Sequence, residues 1–324
     1  MNLSIVIPVY NESESLGLLH GSLQQALGDG QISWEVIYVD DGSTDTGPEI
    51  LAQMAASDPE HVCVVSLRRN FGQTAAIAAG IDHSDGGIIV LMDADLQNDP
   101  KDIPMMLEQI EQGYDVVSGW RVNRKDTFFS RTLPSRIANW LISVVTGVHL
   151  HDYGCTLKAY RREVITDFRL YGEMHRFIPA YASSVGAKIT EVPVTHHPRR
   201  FGKTKYGFDR TLKVFLDLVT VKFLLSYAKK PIYLFGGAGI ILITISGLSL
   251  VYLAIRRLAF QISAVNSPLF QTSLMFMILG FQSILMGLIA ELLVRTYHES
   301  QRKPIYTVRH ILRHTHQTKR SSEG

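Results

Sequence analysis

The sequence predicts an α/β protein whose mostly parallel sheet is covered by helices, followed by a two-helix membrane hairpin. Strand and helix signals alternate over the first 120 residues, and the strands read as continuous apolar runs. Two long uncharged runs then follow near the C-terminal end.

Leu3–Val9 is the first strand, followed by a polar turn and a helix near Ser13–Leu27. Trp34–Val39 is the second, ending in Asp40-Asp41-Gly42-Ser43-Thr44-Asp45, with a helix near Pro48–Ser57. Val62–Leu67 is the third, with Cys63 as core, and Gln73–Ile81 is a helix. Ile88–Met92 is the fourth, ending in Asp93-Ala94-Asp95; Pro100–Gln112 is a helix and Asp115–Ser118 a fifth strand. In such sheets ligands bind beyond the carboxyl ends of the strands, where Tyr10-Asn11-Glu12, Asp40-Asp41 and Asp93-Ala94-Asp95 fall.

Residues 121–148 start basic and continue with Leu133, Ile137, Trp140, Leu141, Val144 and Val148 at helical spacing. Residues 207–230 repeat the pattern with Phe208, Leu212, Phe215, Val219 and Phe223. Both fit a helix in the membrane interface. For the first, packing on the sheet fits equally well; the second runs directly into the hairpin, which favours the interface.

Ile232–Ile255 holds 24 residues without a charge. As a helix it would reach about 36 Å, against a hydrocarbon core of about 30 Å. Leu258–Ala290 is the second uncharged run, its helix starting at Ser267 and Pro268. Soluble helices of this length keep a polar face, which these lack. Lys222, Lys229 and Lys230 precede the hairpin, and Arg295, Arg302, Lys303, Arg309 and Arg313 follow it. Only Arg256 and Arg257 lie in the expected connection. The positive-inside bias places both termini in the cytoplasm of a multi-pass inner- or plasma-membrane protein. The layout expected is therefore a cytoplasmic catalytic domain at 1–206, an interfacial helix at 207–230, spans within 231–295 and a solvated basic tail at 296–324. No signal peptide is expected.

Of the 324 residues, 46% are hydrophobic and 19% charged, which excludes a disordered chain. Two cysteines exclude a disulfide scaffold and a multi-cysteine zinc site, and agree with a reducing compartment. The net charge of +2 hides a gradient: residues 1–100 carry 2 Lys/Arg against 15 Asp/Glu, whereas 101–231 carry 21 against 12. The mean hydropathy of +0.09 likewise averages a soluble domain with two apolar spans.

Asp93-Ala94-Asp95-Leu96-Gln97 is the sharpest motif. Two carboxylates after a buried strand need compensation. A Mg2+ or Mn2+ ion held by Asp93 and Asp95, with Gln97 as amide ligand or support, and bridging to a diphosphate, provides it. Asp40 or Asp41 can accept from a base imide or ribose hydroxyls, and Pro8 and Tyr10 offer an apolar face to a stacked base. No Gly-x-Gly-x-x-Gly follows an N-terminal strand, which argues against a dinucleotide-binding dehydrogenase. Gly202-Lys203-Thr204 is not the end of a P-loop, because His197 stands where its first glycine belongs. The segment Arg199–Tyr206 reads either as a basic juxtamembrane loop or, with its glycine and aromatics, as an anion clamp.

Val6-Ile7-Pro8-Val9-Tyr10-Asn11-Glu12, Val39-Asp40-Asp41-Gly42-Ser43, Asn70-Phe71-Gly72-Gln73, Asp93-Ala94-Asp95-Leu96-Gln97 and Gly202-Lys203-Thr204-Lys205-Tyr206 resemble glycosyltransferase family 2. Within it they resemble the polyprenyl-phosphate glycosyltransferases. His151-Asp152-Tyr153-Gly154-Cys155 with Ala159-Tyr160-Arg161-Arg162 is most similar to the aminoarabinose type. The resemblance implies a GT-A fold and an inverting transfer from a UDP- or GDP-linked sugar to undecaprenyl or dolichyl phosphate, serving cell-envelope glycan or lipid modification. It implies that Pro8, Tyr10, Glu12 and Asp40 or Asp41 hold the nucleoside. Asp93, Asp95 and Gln97 would hold Mg2+ or Mn2+ and the diphosphate, with Asp95 acting through the metal. Arg121, with Arg131 or Arg136, would meet the acceptor phosphate, and Arg200, Lys203 and Lys205 would close on the phosphates. The implied partners are the nucleotide-sugar, the polyprenyl phosphate and the bilayer, with no nucleic acid; a homo-oligomer is left open. Thr204 stands where relatives often have Ser. Cys155 stands where some relatives carry an acid, and Asp152 is a weak substitute for it.

Two alternatives are a processive polysaccharide synthase and a catalytically silent membrane scaffold. The first usually carries a Gln-x-x-Arg-Trp motif, and this chain has no Arg-Trp pair. The second is favoured by loss of the Asp-x-Asp pair or the arginines, and both are present.

Overall fold

Leu3, Ile5, Ile7 and Val9 of β1 (Asn2–Val9) point to one face of the sheet and Val6 to the other, so a strand buried on both sides reads as one apolar run. The structure is a computed structural model describing residues 2–28, 32–122, 139, 142–144, 146–166, 174–198, 232–261, 267–300 and 306–313. It divides into two units, Met1–Val221 with Pro304–Gly324, and Lys222–Lys303.

In the first unit β1 pairs in parallel with β2 (Ser33–Asp40) and β4 (Ile88–Leu91), and β2 with β3 (Val62–Leu67). Helix α1 (Ser13–Leu27) buries Leu16, Leu19, Leu23 and Leu27, one face of a 3.6-residue period. With α2 (Gly47–Ser57) and α4 (Ile103–Glu111) it covers the Ile5 and Ile7 face. Each buried Leu or Ile contributes about 1.5–3 kcal/mol. Helix α3 (Gln73–Asp82) covers the other face and uses Ala76, Ala79 and Gly80 to approach Val6 and Val39 closely. The expected helix at Pro100–Gln112 opens instead as a 3-10 turn, Pro100–Asp102, with Asp99 accepting from Lys101 N–H. Pro104 then occupies the first turn of α4, where its missing N–H costs nothing.

The sheet continues beyond the five strands legible in the sequence. Its order is β7-β5-β6-β4-β1-β2-β3-β8. β6 (Lys158–Arg161) enters antiparallel between β4 and β5 (Val116–Trp120), and β5 pairs in parallel with β7 (Ile189–Pro193). β6 carries a lysine and an arginine in four residues, so no apolar run announces it. Between β6 and β7 lie α5 (Arg162–Ile165), a 3-10 turn at Met174–Phe177 and α6 (Ile178–Ser184).

The fully solvated tail expected at 296–324 is corrected by the eighth strand. β8 (Val308–Leu312) pairs antiparallel with β3 and covers that edge. Tyr306 donates to Asp82 Oδ2 at 2.7 Å, and Arg313 meets Glu35 at 2.6 Å and Asp85 at 2.7 Å. The tail's positive charge masked a segment with three aliphatic residues in five.

In the second unit α7 (Ile232–Phe260) and α8 (Pro268–Ser300) pack antiparallel. Ser246 donates to the Ser273 carbonyl at 2.6 Å and Ser283 to that of Phe235 at 2.7 Å. Leu234–Ala259 and Pro268–Ala290 are long and apolar enough to cross a membrane. Arg256 and Arg257 belong to the last turns of α7 rather than to a connection. The helix expected over 207–230 lies outside the described residues, as does most of that at 131–148.

Candidate active site

The carboxyl ends of β1, β2 and β4 bring three polar segments to one edge of the sheet. Pro8 lies in β1 opposite Val39, and Tyr10 and Glu12 are half-buried just beyond it. Asn11 adopts φ +55°, a conformation asparagine tolerates, and its Oδ1 accepts from Thr44 N–H at 2.8 Å. Asp45 Oδ2 accepts from Ser13 N–H at 3.0 Å. These bonds join the loop after β2 to the start of α1.

Asp40 accepts from Ser43 N–H at 2.9 Å and closes its own turn. Asp41 accepts from the N–H groups of Phe71 at 2.7 Å and Gly72 at 2.9 Å, one per oxygen. Burial raises the Asp41 pKa, against those two N–H groups. Asp41 thus pins the turn before α3. Gly42, directly after Asp41, has φ +71°, and a Cβ there would lie 2.6 Å from the Arg69 carbonyl carbon. Only glycine fits both conditions.

The pinned turn delivers Gln73, whose Nε2 donates to Asp93 Oδ1 at 2.8 Å. Asp93 is held above the usual carboxylate range by burial first and by the Asp95 charge second, with Thr156, Arg121 and Arg176 opposing. Asp95 Oδ1 accepts from Gln97 N–H at 3.1 Å. Leu96 between them has φ +60°, a strained conformation for a bulky residue, of order 1–3 kcal/mol. The Gln97 carbonyl accepts from His197 N–H at 2.9 Å, and Asn98 donates to Thr156 at 2.9 Å, so the segments at 196–197 and 156 brace the motif.

Two neighbouring like charges, Asp93 half-buried and Asp95 buried, with an adjacent amide side chain fit a divalent cation. Among the described residues no group of three or more His, Cys, Asp or Glu stands ready to hold a metal. A cation here would draw its remaining ligands from a substrate's oxygens, as Mg2+ and Mn2+ commonly do.

Arg121, at the end of β5, lies against Asp152. Its Nε donates to Oδ2 at 2.6 Å and its Nη2 to Oδ1 at 2.9 Å. Burial opposes the Arg121 charge, but the carboxylate more than offsets this. Asp152 also accepts from Gly154 N–H at 3.1 Å. Lys158, buried in β6, donates to the carbonyls of Tyr153 and Cys155, and burial lowers its pKa to about 8. Burial pushes the Cys155 thiol up to about 11, which leaves it protonated and unsuited to nucleophilic work.

The structure therefore brings Pro8, Tyr10, Glu12, Asp40, Asp41, Asp93, Asp95 and Gln97 to the same sheet edge, and ties Arg121 to Asp152. Arg131, Arg136, Arg200, Lys203 and Lys205 lie outside the described residues. Gln73, Lys158 and Arg176 take part without having been assigned roles from sequence. Only the Asn70–Gln73 motif gave a signal for one of them.

Residues 4–169, about half of the chain, match the sequence profile described as Glycosyl transferase family 2. The match continues over nearly the whole length in a 43% identical relative, the dodecaprenyl-phosphate galacturonate synthase of Rhizobium johnstonii, covering 96% of this chain and 93% of that one. The chain belongs to glycosyltransferase family 2. It is an enzyme, a glycosyltransferase. A second relative, the undecaprenyl-phosphate 4-deoxy-4-formamido-L-arabinose transferase of Photorhabdus laumondii, is 37% identical over 96% of this chain and 94% of its own. The glucosyl-3-phosphoglycerate synthase of Mycobacterium tuberculosis, solved with Mn2+ and UDP-glucose, aligns with TM-score 0.51 at 18% identity, over 69% of this chain and 78% of that one. At that identity the likeness concerns the fold, which is the GT-A α/β type.

Proposed function

We propose that this glycosyltransferase moves a sugar from a nucleotide-sugar to a polyprenyl phosphate at a membrane surface, with inversion and with Mg2+ or Mn2+. The observation that carries the proposal is full-length similarity to two transferases whose names both specify polyprenyl-phosphate substrates or products. The Asp93–Asp95 pair at the sheet edge supports a diphosphate-bearing donor, and the two long apolar helices support a membrane setting. The basic flanks of the hairpin favour cytoplasmic termini and a cytoplasmic catalytic unit.

The acceptor needs no strong general base, because a phosphate monoester has lost its first proton at pH 7. Its oxygen attacks the anomeric carbon from the face opposite the leaving group. The bond from that carbon to the donor's β-phosphate oxygen breaks, and the nucleoside diphosphate departs with the electron pair. A divalent cation held by Asp93, Asp95 and Gln97 would supply charge neutralisation at the diphosphate. Gln73 fixes Asp93, and the bonded loops 10–13 and 40–45 shape the nucleoside end around Pro8, Tyr10, Glu12 and Asp40. Asp41 acts on this view by positioning. Arg131 or Arg136 would hold the acceptor, and Arg200, Lys203 and Lys205 the phosphates, by charge-assisted contacts. Arg121 joins them through the ion pair that orients it.

Membranes from cells expressing the protein, incubated with undecaprenyl phosphate and a panel of radiolabelled UDP- and GDP-sugars that includes a uronic acid, test this. Label from one donor should become lipid-soluble and depend on added Mg2+ or Mn2+. Label that enters only a high-molecular-mass polymer, or no lipid fraction at all, would reject the proposal.

A further inference from the structure

Arg121 and Arg176 act on Asp93, and Lys158 feels the charges of both arginines. Two of these cations are committed. Arg121 places two nitrogens on the Asp152 carboxylate, and Lys158 donates to two main-chain carbonyls. Arg176 differs. The side chain is half-buried, its Nε is buried without a hydrogen-bond partner, and among the described residues no carboxylate forms an ion pair with it. A half-buried guanidinium whose charge acts on Asp93 but which no carboxylate pairs keeps its donors for an anion that arrives from elsewhere.

Its placement is fixed from both sides. His175 is buried and its Nδ1 lies 2.8 Å from Thr74 Oγ1, while Phe177 is buried in the core. Thr74 adjoins Gln73, the residue that holds Asp93. Arg176 is thus anchored one residue away from a contact that is itself one residue away from the Asp-x-Asp clamp. The Arg176 charge reaches Asp93, Lys158 and His175 alike.

We propose that Arg176 is a substrate-binding residue whose guanidinium receives a phosphate oxyanion beside Asp93. This rests on the proposed transfer between a nucleotide diphosphate and a lipid phosphate, and it adds a residue that the sequence motifs left unassigned. A planar guanidinium fork suits two phosphate oxygens, whereas a lysine supplies charge without the fork. The oxyanion belongs either to the donor's diphosphate or to the acceptor's phosphate, and binding measurements separate the two.

The test compares full-length wild type, Arg176→Gln and Arg176→Lys in detergent. Three quantities are read: thermal stability, affinity for uridine or guanosine diphosphate with Mn2+, and kcat and KM for undecaprenyl phosphate. Arg176→Gln should lower kcat/KM by roughly 10- to 100-fold, the scale of a lost charge-assisted contact, with Tm little changed because the half-buried guanidinium makes no ion pair. Arg176→Lys should recover part of that loss. Weakened nucleotide binding would assign the donor; a raised KM for the lipid with normal nucleotide binding would assign the acceptor. Variants within twofold of wild type on both measures would overturn the proposal. So would a Tm fall in Arg176→Gln that accounts for the whole loss and is cured by refolding conditions. A wild-type protein that neither binds nucleotide nor transfers sugar would instead defeat the parent reading, and this one with it.

Discussion

Asp93 and Asp95 follow one short strand, and their proximity is why the neighbours matter. Gln73 takes one oxygen of Asp93 and the Gln97 N–H takes one of Asp95, which orients the pair. Asp95→Ala should abolish transfer in a lipid-extraction assay while Tm changes little; near-normal turnover would remove its role. Gly42→Ala meets both a positive φ and a backbone contact, so it should lower stability by about 1–3 kcal/mol, read as a drop in Tm. His175 gives a pH signature. Burial first, then the Arg176 and Lys158 charges, lower its pKa to about 3 from 6.5. Between those values the unfolded chain binds a proton that the native state does not, so stability should fall as pH drops below 6.5, by up to about 1.4 kcal/mol per pH unit. His175→Gln should flatten that slope in pH-dependent melts, and an unchanged slope would count against it. The Asp-x-Asp pair was legible because it follows an apolar strand. The His175–Arg176 pair was not, because nothing in Met174-His175-Arg176-Phe177 announces a contact with Thr74, 101 residues away in sequence.

At the level of elements, the first four strands and the first three helices were legible to within a residue or two, since each alternates an apolar run with an amphipathic period. The fifth strand was legible too, whereas β6, β7 and β8 owe their place to pairing rather than to pattern. β6 is buried between β4 and β5 despite Lys158 and Arg161, because Lys158 finds two carbonyls and Arg161 reaches the Ile110 carbonyl at 2.7 Å. β8 reads as tail from its charge, yet it closes the β3 edge and holds Arg313 against Glu35 and Asp85. Each exposed ion pair there contributes about 0–1 kcal/mol, so the strand pairing should dominate. Truncation before Tyr306 should therefore lower Tm and raise aggregation, because it uncovers a flat parallel edge. Arg313→Ala alone should lower Tm by no more than about 2–4 °C. If truncated and full-length proteins melt and scatter light alike, β8 does not contribute to the sheet's stability.

On the scale of the whole molecule, an acidic first third supplies carboxylates to the sheet edge proposed to take the nucleotide and metal, and the basic remainder accompanies a hairpin of two apolar helices. That division of charge suits an enzyme that brings an anionic donor to an anionic lipid. It was readable from composition alone, whereas the sugar is not, because its specificity rests on contacts that no local motif encodes. The proposed orientation has its own check: reporters fused at either terminus should both respond as cytoplasmic, and a periplasmic C-terminus would refute the two-span hairpin. The central claim is the bond that forms. Purified enzyme, undecaprenyl phosphate, the active nucleotide-sugar and Mn2+ should give a lipid carrying one phosphate and one sugar, with one nucleoside diphosphate released per transfer, both read by mass spectrometry. A lipid diphosphate-sugar with release of nucleoside monophosphate would contradict the account directly.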